Sequence, residues 1–169
     1  LLSRTLVGLN KSDEAQRALD DVTKNYRSTP SYYGALLLLG SLQREMGNAN
    51  QALASWKLIE ADSAKAQGEI RQQALVEMGD LLILRPDQVK ALQCYTRAGA
   101  IPGTRQVTAL LKAGLAAEQT GDVSKALASM KLALSDTLAG TQRGVLLLAT
   151  ARVAAKAENH LEAVRLYAL

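Results

Sequence analysis

The side chains best suited to chemistry are few and scattered. His160 is the sole histidine and Cys94 the sole cysteine. A zinc centre needs several such ligands and a Cys-His nucleophile needs a partnered base, so neither constellation can be assembled. Glu118 and Asp122 stand four apart, and Asp80 follows Glu77 by three and is expected to face it or Arg44. Paired carboxylates are the material of general acid–base catalysis, but at this spacing they are also the ordinary furniture of a solvated helix face. His160, in Asn159-His160-Leu161, reads as a capping or solvent-facing residue at a turn, and Cys94 as a partly buried, inert thiol in mid-helix. No Gly-x-Gly or Gly-Lys-Ser phosphate loop occurs. The expectation is a protein that is not an enzyme, with no catalytic residue, no metal ligand and no cofactor.

The elements that carry these residues repeat. A small residue opens the packing face of a helix at Ala15, Ala52, Ala91, Ala126 and Ala163, with separations of 37, 39, 35 and 37. Four residues later comes a larger apolar side chain: Leu19, Trp56, Tyr95, Met130 and Tyr167. In the helix before, Gly40, Gly79, Gly114 and Ala151 recur with separations of 39, 35 and 37. Two sets of marks in one register predict a stack of helical hairpins, an all-α solenoid. The units are expected at about 1–29 (partial), 30–67, 68–103, 104–139 and 140–169 (partial), together forming one helical-repeat domain.

Within them, helices are predicted over Asp13 to Arg27, Ser31 to Met46, Asn50 to Gln67, Glu69 to Leu84, Asp87 to Ala98, Thr104 to Thr120, Val123 to about Thr137, and Gly140 to about Ala157. Leu1 to Leu9 reads as the tail of an earlier helix and Asn10 to Ser12 as its turn, with Pro30 starting the next hairpin. Gly47-Asn48 and Gly121-Asp122 supply stops and N-caps. Arg85-Pro86-Asp87 replaces the glycine turn, with Pro at a helix opening, and Ile101-Pro102-Gly103 closes a unit. The glycines are expected to let paired helices approach, while Trp56, Tyr95, Met130 and Tyr167 fill the gap between hairpins.

Composition agrees with a helical stack. The chain is 48% hydrophobic but only 4% aromatic, with three prolines and no Phe. The formal charge of +4 arises from 20 basic and 16 acidic residues without a polybasic run, which argues against a nucleic-acid footprint. The longest apolar runs, Ala35 to Leu39 and Val145 to Ala149, are far short of the ~20 residues of a membrane span. The chain starts without Met and both ends fall inside helical patterns, so it is expected to be a piece of a longer protein.

Leu39-Gly40, Gly47-Asn48, Ala52 and Trp56 resemble the tetratricopeptide repeat, as do Met78-Gly79, Ala91, Tyr95, Ala98 and Pro102, and Ala113-Gly114, Gly121-Asp122, Ala126 and Ala133. Family repeats run about 34 residues; here the period is 35 to 39. Sel1-like repeats have a more glycine-rich second half, and RNA-reading pentatricopeptide repeats hold a stricter period. The resemblance implies a right-handed superhelix whose first helices line a concave groove. By register the groove receives Leu37, Ser41, Arg44, Gln73, Val76, Glu77, Asp80, Thr108, Leu111, Lys112, Leu115, Glu118, Gln119, Leu148, Arg152 and Lys156. Leu37, Val76, Leu111 and Leu148 would form an apolar stripe. The C-terminal carboxylate clamp of chaperone-binding members is not matched, since the places read Leu37, Ser41, Glu77 and Thr108 with only Lys112 basic.

The implied function is a protein-interaction scaffold for a partner peptide or domain, and the lineage leans toward bacterial envelope assembly or exopolysaccharide export. A periplasmic setting is then favoured over a cytoplasmic one. Self-association through exposed end repeats is a further expectation. Two alternatives stand beside this reading: an RNA-binding helical repeat using Lys112, Arg152 and Lys156, and the superhelical, non-catalytic portion of a larger cell-wall enzyme.

Overall fold

The computed structural model describes residues 11–27, 29, 31–135, 140 and 142–169. The helix tail expected over Leu1 to Leu9, Asn10, Pro30 and Thr137 lie outside them. The described residues form nine helices and no strand: α1 Ser12–Asn25, α2 Ser31–Glu45, α3 Ala49–Ala61, α4 Gly68–Leu84, α5 Gln88–Gly99, α6 Gln106–Gln119, α7 Val123–Ser135, α8 Arg143–Lys156 and α9 His160–Tyr167. Helices α2–α3, α4–α5, α6–α7 and α8–α9 pair as hairpins, and each hairpin packs on the next.

The hairpin turns share one device. The amides of Asn48, Asp87, Asp122 and Asn159 donate to the carbonyls of Gln43, Leu82, Ala117 and Ala154, at 2.7, 3.0, 2.9 and 3.0 Å. This is the outer bond of a Schellman cap, which needs a left-handed residue just before the donor. Gly47 and Gly121 supply it at φ of 80° and 79°, and Glu158 is forced to 59°. Pro86 occupies the equivalent place in its own turn. It therefore closes α4 rather than opening α5, whose N-cap is Asp87, with its carboxylate accepting from the Lys90 amide at 3.3 Å. Asn48 sits at the N-cap of α3, but its side chain makes no capping bond.

The glycine register has a direct geometric cause. A Cβ on Gly40 would fall 2.3 Å from Trp56, one on Gly79 2.4 Å from Tyr95, and one on Gly114 2.6 Å from Met130. Each large residue thus lies on the glycine of its own hairpin. Trp56 and Met130 are fully buried, and the Trp56 Nε1–H donates to the Leu37 carbonyl at 3.2 Å. Tyr167 departs from the expected wedge: it is 57% exposed. Its hairpin carries Ala151 where the others have glycine, and the large side chain buried with Ala151 is Leu166.

No single centre holds the core. One cluster runs from Tyr33, Leu36 and Trp56 through Ala74, Met78 and Tyr95 to Ala113 and Ala116, and others join Met130 to Val153 and Ala151 to Leu166. Each hairpin completes its neighbour's apolar face, the logic of a linear repeat. Helix α3 ends at Ala61, six residues before its expected end, where the Asp62 carboxylate accepts from the Tyr33 hydroxyl at 2.5 Å.

Candidate functional site

The first helices of successive units, α2, α4, α6 and α8, are joined along one face by ion pairs. Arg44 pairs with Glu77, Lys112 reaches both Asp80 oxygens at 2.5 and 2.6 Å, and Glu118 takes Arg152 at 2.7 Å together with Lys156. Each pair links a first helix to the next, and its members lie roughly one repeat apart in sequence. Asp80 therefore faces neither Glu77 nor Arg44, but Lys112 on the following helix and the Tyr95 hydroxyl, which donates to it at 2.7 Å. The Lys112 ammonium also stands 5.7 Å from the Tyr95 ring centroid. Burial, and then the Asp80 hydrogen bond, push the Tyr95 phenol well above its ordinary range.

At Glu118 two effects oppose. Burial pushes the carboxyl up, and the hydrogen bonds from Lys156 and Arg152, with their charges, outweigh it and hold the group below its ordinary value. Exposed ion pairs contribute only about 0–1 kcal/mol each. Their clearer consequence is electrostatic: Arg44, Lys112, Arg152 and Lys156 are all matched to carboxylates of the same face. Glu118 and Asp122 do not form a catalytic pair, because Asp122 accepts from the Lys125 amide at 3.0 Å as the cap of α7.

The apolar positions separate by burial. Leu37 and Val76 are 8% and 9% exposed, taken up by neighbouring helices: Leu37 with Tyr33, Trp56 and Ala74, and Val76 with Leu75, Ala98 and Ala109. They belong to the packing between units, not to an open stripe. Leu111 and Leu115 are half-buried and Leu148 is 63% exposed. These three, with Val145, Ala149, Arg152 and Tyr167, line a hollow of about 420 Å³. A second hollow of about 360 Å³ adjoins it, lined by Leu115, Glu118, Gln119, Arg152 and Lys156. Of the remaining groove positions, Ser41 returns its hydroxyl to the Leu37 carbonyl at 3.1 Å, Gln73 is half-buried, and Thr108 meets the Gln142 amide at 3.4 Å.

Sequence reasoning missed Val145 and placed Tyr167 in the core, although an alanine at position 151 was the available signal. It also missed Gln72, which is fully buried in α4. Its Nε2 donates to the carbonyls of Ala98 and Ile101 at 3.2 and 2.6 Å, and its Oε1 accepts from the Arg105 amide at 3.2 Å. This one side chain pins the loop between α5 and α6. His160 begins α9 and is exposed. Cys94 is a free, buried thiol pushed up chiefly by desolvation. Among the described residues, no three His, Cys, Asp or Glu side chains converge as a metal site, and no helix is long and apolar enough to cross a membrane.

No family model and no curated protein matches the sequence. Solved structures do match in shape. MamA superposes at a TM-score of 0.72 and 21% identity over 99% of this chain and 91% of that one. A tetratricopeptide repeat protein from Parabacteroides merdae gives 0.72 and 20% over 98% of this chain and 61% of that one. A kinesin light chain with TPR-like repeats from Podosopora anserina gives 0.70 and 16% over 98% and 88%. The fold is a tetratricopeptide-type, all-α superhelix.

Proposed function

We propose that this chain is a non-catalytic protein-interaction scaffold that seats a partner peptide or domain on the first-helix face, chiefly at its C-terminal section. The observation that carries this reading is the hollow between α6 and α8. There Leu111, Leu115, Leu148 and Tyr167 offer apolar surface beside Arg152 and Lys156, two cations sharing the one carboxylate of Glu118. That chemistry suits a segment presenting a large apolar side chain followed by an acidic group. Towards α2 the same face has its apolar side chains buried and its cations paired, so it contributes shape more than energy.

On this face four cations meet three carboxylates, an excess of one, which suits a single acidic group and disfavours the RNA reading, since a phosphate backbone draws on several unneutralised cations. A role in bacterial envelope assembly or polysaccharide export, in the periplasm, is the wider proposal that the family resemblance supports.

The test is capture of a partner by the parent protein and by Leu148→Glu/Arg152→Glu. Leu148 is chosen over Leu111 because Leu111 packs against two core clusters. Loss of a specific partner by a double variant that melts with the parent is the expected result, and undiminished capture would move the interface elsewhere.

A further inference from the structure

A hollow of about 490 Å³ opens between the second helices α3 and α5, away from the first-helix ion pairs. Its floor is apolar: Leu53 from α3, Met78 and Leu82 from α4, and the Cys94 thiol of α5. Its rim is basic. Lys57 projects from α3, Arg85 from the turn after α4, and Lys90 and Arg97 from α5, where they lie on one stripe with Cys94.

The rim carries more positive charge than its carboxylates can neutralise. Arg97 and Arg71 share Glu60, Lys90 is held by Asp87 at 2.7 Å, and Arg85 donates to the neutral Asn50 Oδ1 at 2.7 Å. Lys57 has no ion-pair partner among the described residues. In the lining, the four cations Lys57, Arg85, Lys90 and Arg97 meet one carboxylate, Asp87, with Glu60 beside it shared between Arg97 and Arg71; on the first-helix face four cations meet three carboxylates. We propose that this hollow is a second docking site, which takes an acidic peptide segment of a partner protein. An apolar side chain of that segment rests on Leu53, Met78 and Leu82, and its carboxylates lie between Lys57, Arg85, Lys90 and Arg97.

The half-buried Leu53, seated on the buried Met78 and Leu82, is what selects a peptide over a simple anion, because phosphate gains nothing from covering an apolar side chain. The rim selects against nucleic acid. Asp87 interrupts it, and among the described residues no aromatic ring lines it for a base to stack on. The volume lies within the range of pockets that enclose a few side chains. With one partner on the first-helix face and another here, the superhelix becomes a bridge between two proteins.

The probe is a rhodamine-labelled peptide, acetyl-Glu-Asp-Leu-Glu-Asp-Leu, followed by anisotropy on the whole chain. Saturable binding is expected, weakened about tenfold by Lys57→Glu/Lys90→Glu and progressively screened by added salt. Leu148→Glu/Arg152→Glu should leave it unchanged, which separates this site from the first-helix face. The proposal is overturned if no saturation occurs below about 1 mM, an affinity near −4 kcal/mol. It is overturned equally if the Lys57/Lys90 variant binds as the parent does, if Leu148→Glu/Arg152→Glu abolishes binding, or if inorganic phosphate or poly(U) RNA displaces the peptide at the peptide's own affinity.

Discussion

Two glycines of one helix should respond in opposite ways to the same methyl group. Gly34 and Gly40 both lie in α2; a Cβ on Gly34 meets nothing within 4 Å, whereas one on Gly40 falls 2.3, 2.6 and 2.7 Å from Trp56 Nε1, Cε2 and Cδ1. Alanine in place of glycine gains up to about 1 kcal/mol of helix propensity at either position. At Gly40 that gain is opposed by overpacking, about 1–3 kcal/mol. The indole cannot retreat, because it is fully buried with Ala52 and Ile59, also fully buried, on its own helix. Shifting it also strains the 3.2 Å bond from Nε1 to the Leu37 carbonyl, a further ~1 kcal/mol. Gly34→Ala should therefore be neutral or stabilising and Gly40→Ala destabilising, the two differing by about 2–4 kcal/mol. Urea unfolding followed by the fluorescence of Trp56, the sole tryptophan, and by circular dichroism reads both. A third arm removes the obstacle: in a Trp56→Leu background, Gly40→Ala should lose most of its cost. An unfolding midpoint for Gly40→Ala at or above that of Gly34→Ala would refute the close-approach argument for the whole register.

The other predictions concern turns and charges. Glu158→Gly should raise the melting temperature, because a side chain at φ 59° costs about 1 kcal/mol that glycine does not. Gln72→Leu should destabilise by about 2–4 kcal/mol, since it orphans the carbonyls of Ala98 and Ile101 and the amide of Arg105. Hydrogen exchange at Arg105 should quicken in that variant. The folded Glu118 carboxyl titrates below its ordinary value, so its stabilising contribution is present above the unfolded pKa of about 4.3 and is lost as pH falls through the lower, folded value. The parent should accordingly exceed Glu118→Gln in urea stability near neutral pH and lose that advantage progressively as pH falls below the unfolded carboxyl pKa. An advantage that survives acidification would show that the pairing with Arg152 and Lys156 is not its source.

Much of the fold was written in short marks whose physical basis is now visible. Gly40, Gly79 and Gly114 recur because Trp56, Tyr95 and Met130 lie over them. The binding face was harder to read. Register puts Leu37 and Val76 on the first helices but cannot say how deeply the next unit covers them, and both are buried. Helix-favouring residues continue past Ala61, but the chain turns at Asp62, whose carbonyl accepts from the Lys65 and Ala66 amides and whose carboxylate is held by distant Tyr33. The ion pairs between units were within reach: Arg44 and Glu77, Asp80 and Lys112, and Glu118 and Arg152 are opposite charges about one period apart. Register offers Arg44 both Glu77 and Asp80, and only the packing of the helices decides that Arg44 takes Glu77 while Asp80 takes Lys112 on the following unit.

The central claim, that the C-terminal section of the first-helix face grips a protein partner, is tested most directly by site-specific photocrosslinking. A photoreactive amino acid is placed at Leu148 in the hollow and, separately, at Leu58 on α3, a comparably exposed position at 51% against 63%. The account predicts a discrete protein adduct from position 148 that disappears with Arg152→Glu, and none of that adduct from position 58. The same adduct from position 58, or none from position 148, would contradict it.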